Sequence, residues 1–109
     1  MSNKYRNRQI KGFDSVKEYK RWQELSIMEK AGVVQVLNRQ VRFDILPAQY
    51  ENKKLLYRGI VYVADFTYWK DGEFIVEDVK GYKKGQAYAV YMIKKKLMYY
   101  FHHIKIREV

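Results

Sequence analysis

Residues 61–81 read VYVADFTYWKDGEFIVEDVKG, and this stretch decides the fold. Residues 61–69 alternate and are rich in aromatic and β-branched side chains, so they predict a strand. Residues 73–80 predict a second. Between them lies Asp71-Gly72, the strongest short-range hairpin signal, because both central positions of a type I′ turn require φ > 0. With these two as the turn, Trp69 faces Phe74, Thr67 faces Val76 and Asp65 faces Asp78. Alternation puts Lys80 on the same side as Asp78. Opposed residues have Cβ atoms about 4.5–5.5 Å apart, where two like charges repel. The usual reason for keeping such a pair is a divalent cation, since carboxylate oxygens are the hard ligands that Mg²⁺ prefers, with Mn²⁺ as a substitute. An ordinary solvated hairpin is the plainer alternative, and the apolar flanks argue against it.

Working outward, the chain of 109 residues is expected to form one domain over residues 14–109, preceded by a flexible basic arm at 1–13 carrying Lys4, Arg6, Arg8 and Lys11. Ser15-Val16-Lys17-Glu18 fits a capping box that opens a first helix, with Tyr19, Trp22, Leu25 and Met28 at helical spacing and Gly32 as the stop. Residues 33–37 begin a strand, and 40–46 alternate, with Val41, Phe43 and Ile45 on one side. Residues 47–54 read as a polar loop and 55–69 as one long strand, bulged near Gly59. Residues 86–101 predict a second helix with an apolar stripe of Ala87, Val90, Ile93, Leu97, Met98 and Phe101. Residues 104–109 alternate as a last strand. The order is α-β-β-β-α-β, and the simplest packing is a mixed central sheet flanked by two helices.

Twenty-two lysines and arginines against 12 acids leave a net charge of +10, which points to a polyanionic partner, most simply nucleic acid. The 11 tyrosines add rings able to stack on bases. With no cysteine, thiolate metal sites, disulfides and cysteine nucleophiles are excluded. No apolar leader or run of about 18 apolar residues is present, so a cytoplasmic protein without membrane attachment is expected.

Phosphodiester hydrolysis needs charge neutralised on the phosphate, a water activated and the leaving oxygen stabilised. Asp65 and Asp78 are placed to hold a cation, the backbone carbonyl of Val79 adds an oxygen, and Lys80 sits beside the attacking water. Helix one supplies a further acid, for which Glu18, Glu24 and Glu29 compete. Lys83 and Lys84 follow the active strand on a loop and are candidates for phosphate contact. Lys94 lies within the apolar stripe, where a lysine either snorkels or serves as an auxiliary cation. Gln40 is a candidate for DNA contact or strand decoration. His102-His103 reads as a solvated strand entry rather than a metal pair.

Asp65 followed by Asp78-Val79-Lys80 resembles the motif of the PD-(D/E)xK nuclease superfamily. The blocks YKRWQEL (19–25), EKAG (29–32), RQVRF (39–43), ADFTY (64–68) and VEDVKG (76–81) resemble a phage-encoded, Holliday-junction-resolvase-like family over most of the chain. The resemblance implies a restriction-endonuclease-like core and a metal-dependent, structure-selective DNA endonuclease acting on branched DNA in phage recombination, replication or packaging. By motif position it matches Glu24 to the helix-one acid, Asp65 and Asp78 to the central acids and Lys80 to the lysine. Ala64 replaces the proline of the superfamily's name. Symmetric cutting of a four-way junction implies a homodimer. The alternatives are another nuclease on the same core (nicking, flap or restriction-like), or a basic DNA-binding module that does not cut.

Overall fold

The computed structural model describes residues 12–81 and 83–109. Helix α1 (Val16–Lys30) begins where the capping signal places it, with the Ser15 hydroxyl accepting from the Glu18 N–H at 3.1 Å. Then come β1 (Gln35–Leu46), β2 (Gln49–Glu51), β3 (Lys54–Tyr57), β4 (Ile60–Lys70), β5 (Glu73–Asp78), α2 (Gly85–His102) and β6 (Arg107–Glu108). Four strands form one mixed sheet in the order β1-β4-β5-β6, with the last pair parallel and the others antiparallel. The class is mixed α/β. Among the described residues, no helix is long and apolar enough to cross a membrane.

The turn at Asp71 (φ 51°) and Gly72 (φ 79°) has the two positive φ values that a type I′ hairpin needs. Thr67 pairs with Val76 and Trp69 with Phe74, the register expected from the sequence. Adjacent residues of β5 then divide between two cores. Ile75 joins Phe66, Tyr68, Leu25 and Phe13 under α1, whereas Val76 joins Tyr62, Ile45, Tyr91 and Met98 under α2. The helices therefore cover opposite faces of the sheet.

Several boundaries differ from expectation. Residues 1–11, with the four basic residues of the expected arm, lie outside the described residues. Phe13, placed in that arm, is a core residue, packed on Tyr19 and Trp22 and capped by the Arg39 guanidinium 3.7 Å from its ring centre. The polar loop at 47–54 and the start of the long strand are instead a separate hairpin of β2 and β3. Gly59 marks its root: a Cβ there would lie 2.7 Å from the Leu46 carbonyl oxygen, too close for any side chain. The inner face of α2 is Tyr88, Tyr91, Met92, Leu97 and Met98, while Val90, Ile93 and Phe101 of the expected stripe are exposed. His102 ends α2 and His103 caps it in the left-handed region, so neither enters a strand.

Candidate functional site

β4 breaks its own alternation at the site. Tyr62 and Ala64 pack in the core under α2, but Phe66 and Tyr68, of the same parity, pack under α1. The strand thus changes sides between Ala64 and Phe66. On the neighbouring strand Gln40 adopts a left-handed φ of 55°, between the pairs Arg39–Phe66 and Val41–Ala64. Such irregularities re-aim a side chain. Here the break falls on the Ala64 side of Asp65, which keeps the side of Thr67 and Val76 that the hairpin register gives it and so faces Asp78.

The Asp65 carboxyl neighbours that of Asp78 on the same cavity, and its Oδ2 accepts from the Val79 N–H at 2.8 Å. β5 ends here, with an aspartate side chain bonding the next amide. Asp78 is buried, and its Oδ2 lies 2.8 Å from Lys80 Nζ. That ammonium also rests 3.8 Å from the ring centre of Tyr91, whose hydroxyl donates to Glu108 Oε2 at 3.1 Å. Lys17 Nζ donates to the Lys80 carbonyl at 2.6 Å, tying the start of α1 to the same segment. These groups open onto a cavity of about 550 Å³ lined by Asp65, Asp78, Val79, Lys80, Glu18 and Lys94, among others.

Burial pushes the Asp65 carboxyl up from its ordinary 3.8 to about 8, helped by the neighbouring carboxyl of Asp78. An acid held protonated in the folded state and released in the unfolded one makes stability fall with rising pH. The contribution is complete below about pH 4 and is lost as pH rises to about 8. In EDTA, thermal melts from pH 5 to 8.5 are expected to show wild type losing stability relative to Asp65→Asn, with Mg²⁺ restoring most of the loss at the alkaline end. Parallel curves for the two proteins would show that Asp65 titrates normally.

Glu18 and Glu24 change places relative to expectation. Glu18 is buried and faces the cavity. Its Oε2 lies 3.4 Å from Gln40 Nε2 and 4.0 Å from Arg39, and its carboxyl is raised above the ordinary range by burial, then by the charge of Asp14. Glu24 does not reach the cavity. Its side chain is 64% exposed and pairs with Arg21 at 3.0 Å. Six residues turn a helix by about 240°, so the two acids cannot share a face. Glu77, expected on the far side of the sheet from Asp78, is there: fully buried, it receives Arg21 Nε and Nη2 at 2.7 Å each and the Tyr68 hydroxyl at 2.8 Å.

Of the expected DNA contacts, Lys94 lines the cavity and Lys84 is exposed at the start of α2. Lys83 is engaged by Glu108 at 3.3 Å, and Gln40 by Glu18. Tyr62, Tyr91 and Lys17 were not singled out from the sequence. Nothing in residue type or spacing marks them, because only the packing of α1 and α2 brings them to the cavity.

Among the described residues, no group of three or more histidine, cysteine, aspartate or glutamate side chains is gathered to hold a metal ion. The donor chemistry of the aspartate pair still fits a hard divalent cation: both groups are oxygen donors, and their mutual repulsion in a desolvated site is what a positive charge relieves.

A family model described as "Protein of unknown function (DUF1064)" matches residues 2–109, so the chain belongs to that family. No curated protein and no solved structure is matched.

Proposed function

We propose that this chain is a metal-dependent DNA endonuclease on a restriction-endonuclease-like core, selective for branched DNA such as a four-way junction. The observation that carries the reading is that Asp65 and Asp78 line one open cavity, with Lys80 paired to Asp78 at 2.8 Å. Binding alone gains nothing from paired acids facing a phosphate. Asp65, Asp78 and the Val79 carbonyl would hold Mg²⁺ or Mn²⁺, which when bound supplies charge neutralisation and a more acidic water. Lys80 positions the attacking water and offsets charge on the phosphate. Tyr91 holds the Lys80 ammonium by its ring face. Lys94 adds positive charge at the cavity mouth, and the net charge of +10 favours DNA at longer range. A two-fold dimer would present two such cavities to a four-way junction.

Purified protein with Mg²⁺ is expected to cut four-way junctions faster than three-way, flap or plain duplex DNA, and Asp65→Ala is expected to cut none. Tight junction binding with no cutting in Mg²⁺ or Mn²⁺ would leave a non-catalytic DNA-binding module. A companion pair tests the helix-one acid. Glu18→Gln is expected to lower the cleavage rate about 10–100-fold, the usual effect of losing a group that supports a metal site, and Glu24→Gln to leave it within about twofold. The reverse ranking would return the role to Glu24.

A further inference from the structure

The β2–β3 hairpin belongs to neither core, and all seven of its strand residues are exposed. An isolated two-stranded hairpin is marginal in water. This one nevertheless displays Tyr50 at 66%, Leu55 at 51% and Tyr57 at 61% exposure. Tyr50 is paired with Leu55 and shares its face, whereas the register shift at Leu56 sets Tyr57 opposite Gln49 on the other face, so the arm carries an exposed ring on each side.

The tip adds a second, independent observation. Asn52 (φ 52°) and Lys53 (φ 67°) form the turn, both left-handed. Glycine is the residue that adopts the second of these positions without strain. A lysine there keeps an ammonium at the tip in spite of the backbone conformation, the kind of outlier that points to a role for the side chain. Lys54 follows it, paired with Glu51, the lone acid of residues 49–58, and Arg58 lies at the other end, at the root. The arm therefore joins exposed rings on both sides to a cationic tip.

That combination suits DNA with exposed bases: rings stack on unpaired bases, and cations meet the phosphates beside them. A second copy of the chain seated on the arm fits less well, because it would bring one positive tip against another. We propose that the β2–β3 hairpin is a docking arm for branched DNA, with the Tyr50 and Tyr57 rings, one on each side of the arm, against unpaired bases at the branch, Lys53 and Lys54 on phosphates at the tip and Arg58 on phosphates at the root. The inference deepens the nuclease reading by naming what selects the branch, and it rests on that reading for its substrate. From Arg58 to Asp65 the chain spans at most about 23 Å at about 3.3 Å per residue, so a branch held at the arm's root leaves nearby phosphates within reach of the cavity.

The test is binding of the full chain in EDTA, where no cutting occurs. Fluorescence anisotropy compares a four-way junction carrying 2-aminopurine at the branch with a linear duplex of equal length. The double variant Tyr50→Ser, Tyr57→Ser is expected to lose about 10–100-fold in junction affinity and the quenching of 2-aminopurine, while duplex affinity stays within about twofold. Lys53→Gly guards against an unfolded arm, because it relaxes the backbone. It is expected to leave the melting temperature equal or higher, yet weaken junction binding and reduce the salt slope by about one. Junction binding by the double variant equal to wild type overturns the proposal. So does failure of wild type to bind either DNA, and so does a shift from dimer to monomer in the double variant with DNA affinity unchanged, which would make the arm a contact between copies. The readings separate cleanly: selective binding without cleavage in Mg²⁺ removes the nuclease and keeps the arm, whereas cleavage with arm-independent binding does the opposite.

Discussion

Lys80→Met is expected to slow Mg²⁺-supported cleavage of a four-way junction by about a hundred- to a thousandfold, with junction affinity in EDTA changed by less than about threefold. The magnitude is that of removing one preorganised group from a charge-developing centre. Methionine keeps most of the aliphatic length beside Tyr91 but removes the ammonium that sits between the Asp78 carboxylate and the aromatic face. A single cation among many contributes little to binding in a chain with a net charge of +10, so rate and affinity should part. Single-turnover cleavage beside equilibrium anisotropy reads both. Equal losses in the two measurements would make Lys80 a phosphate anchor instead. Tyr91→Phe, which keeps the ring and drops the bond to Glu108, is expected to stay within about tenfold of wild type. Tyr91→Leu, which drops the ring, should approach the lysine variant.

The second large effect is on stability. Arg21→Met leaves the Glu77 carboxylate wholly enclosed without its bidentate partner, and about 3–5 kcal/mol of folding free energy should be lost. That is a large share of what a domain of this size commands. The double variant Arg21→Met, Glu77→Met should recover most of the loss, because two apolar side chains need no charge compensation. The Tyr68 hydroxyl, left without its acceptor, is the one deficit that remains. Urea denaturation at pH 7 measures all three proteins. If the single variant costs less than about 1 kcal/mol, water reaches Glu77 and the pair is a surface contact.

Much of the β4–β5 hairpin was legible because its rules are local. Asp71-Gly72 sets the turn, the turn sets the register, and the register brings Asp65 toward Asp78. Ser15 likewise marks the start of α1 through a bond three residues away. What escaped depends on contacts far apart in sequence. The face of α1 that meets the sheet is chosen by Phe13, Trp22 and Leu25 packing on Phe66, and this brings Glu18 rather than Glu24 to the cavity. On α2, tyrosines at 88 and 91 take the inward side and turn Val90 and Ile93 out. Hydropathy ranks the aliphatic residues as the more apolar, and only packing against Tyr62 reverses the choice. The β2–β3 hairpin was missed because Asn52-Lys53 lacks the glycine by which such turns are recognised. The switch of sides in β4 has no mark in its own alternation, since Tyr62, Ala64, Phe66 and Tyr68 form one unbroken even-numbered series.

The pairing of Leu46 with Ile60, sealed by the bare backbone of Gly59, closes the sheet beneath the projecting hairpin. Whatever is grafted between those two positions hangs from a finished frame and leaves the strands carrying the aspartates in place. The chain is thus built as a fixed frame with an exchangeable finger, so on the proposed nuclease reading a finger swapped for another should carry its preference with it while the chemistry stays with the frame.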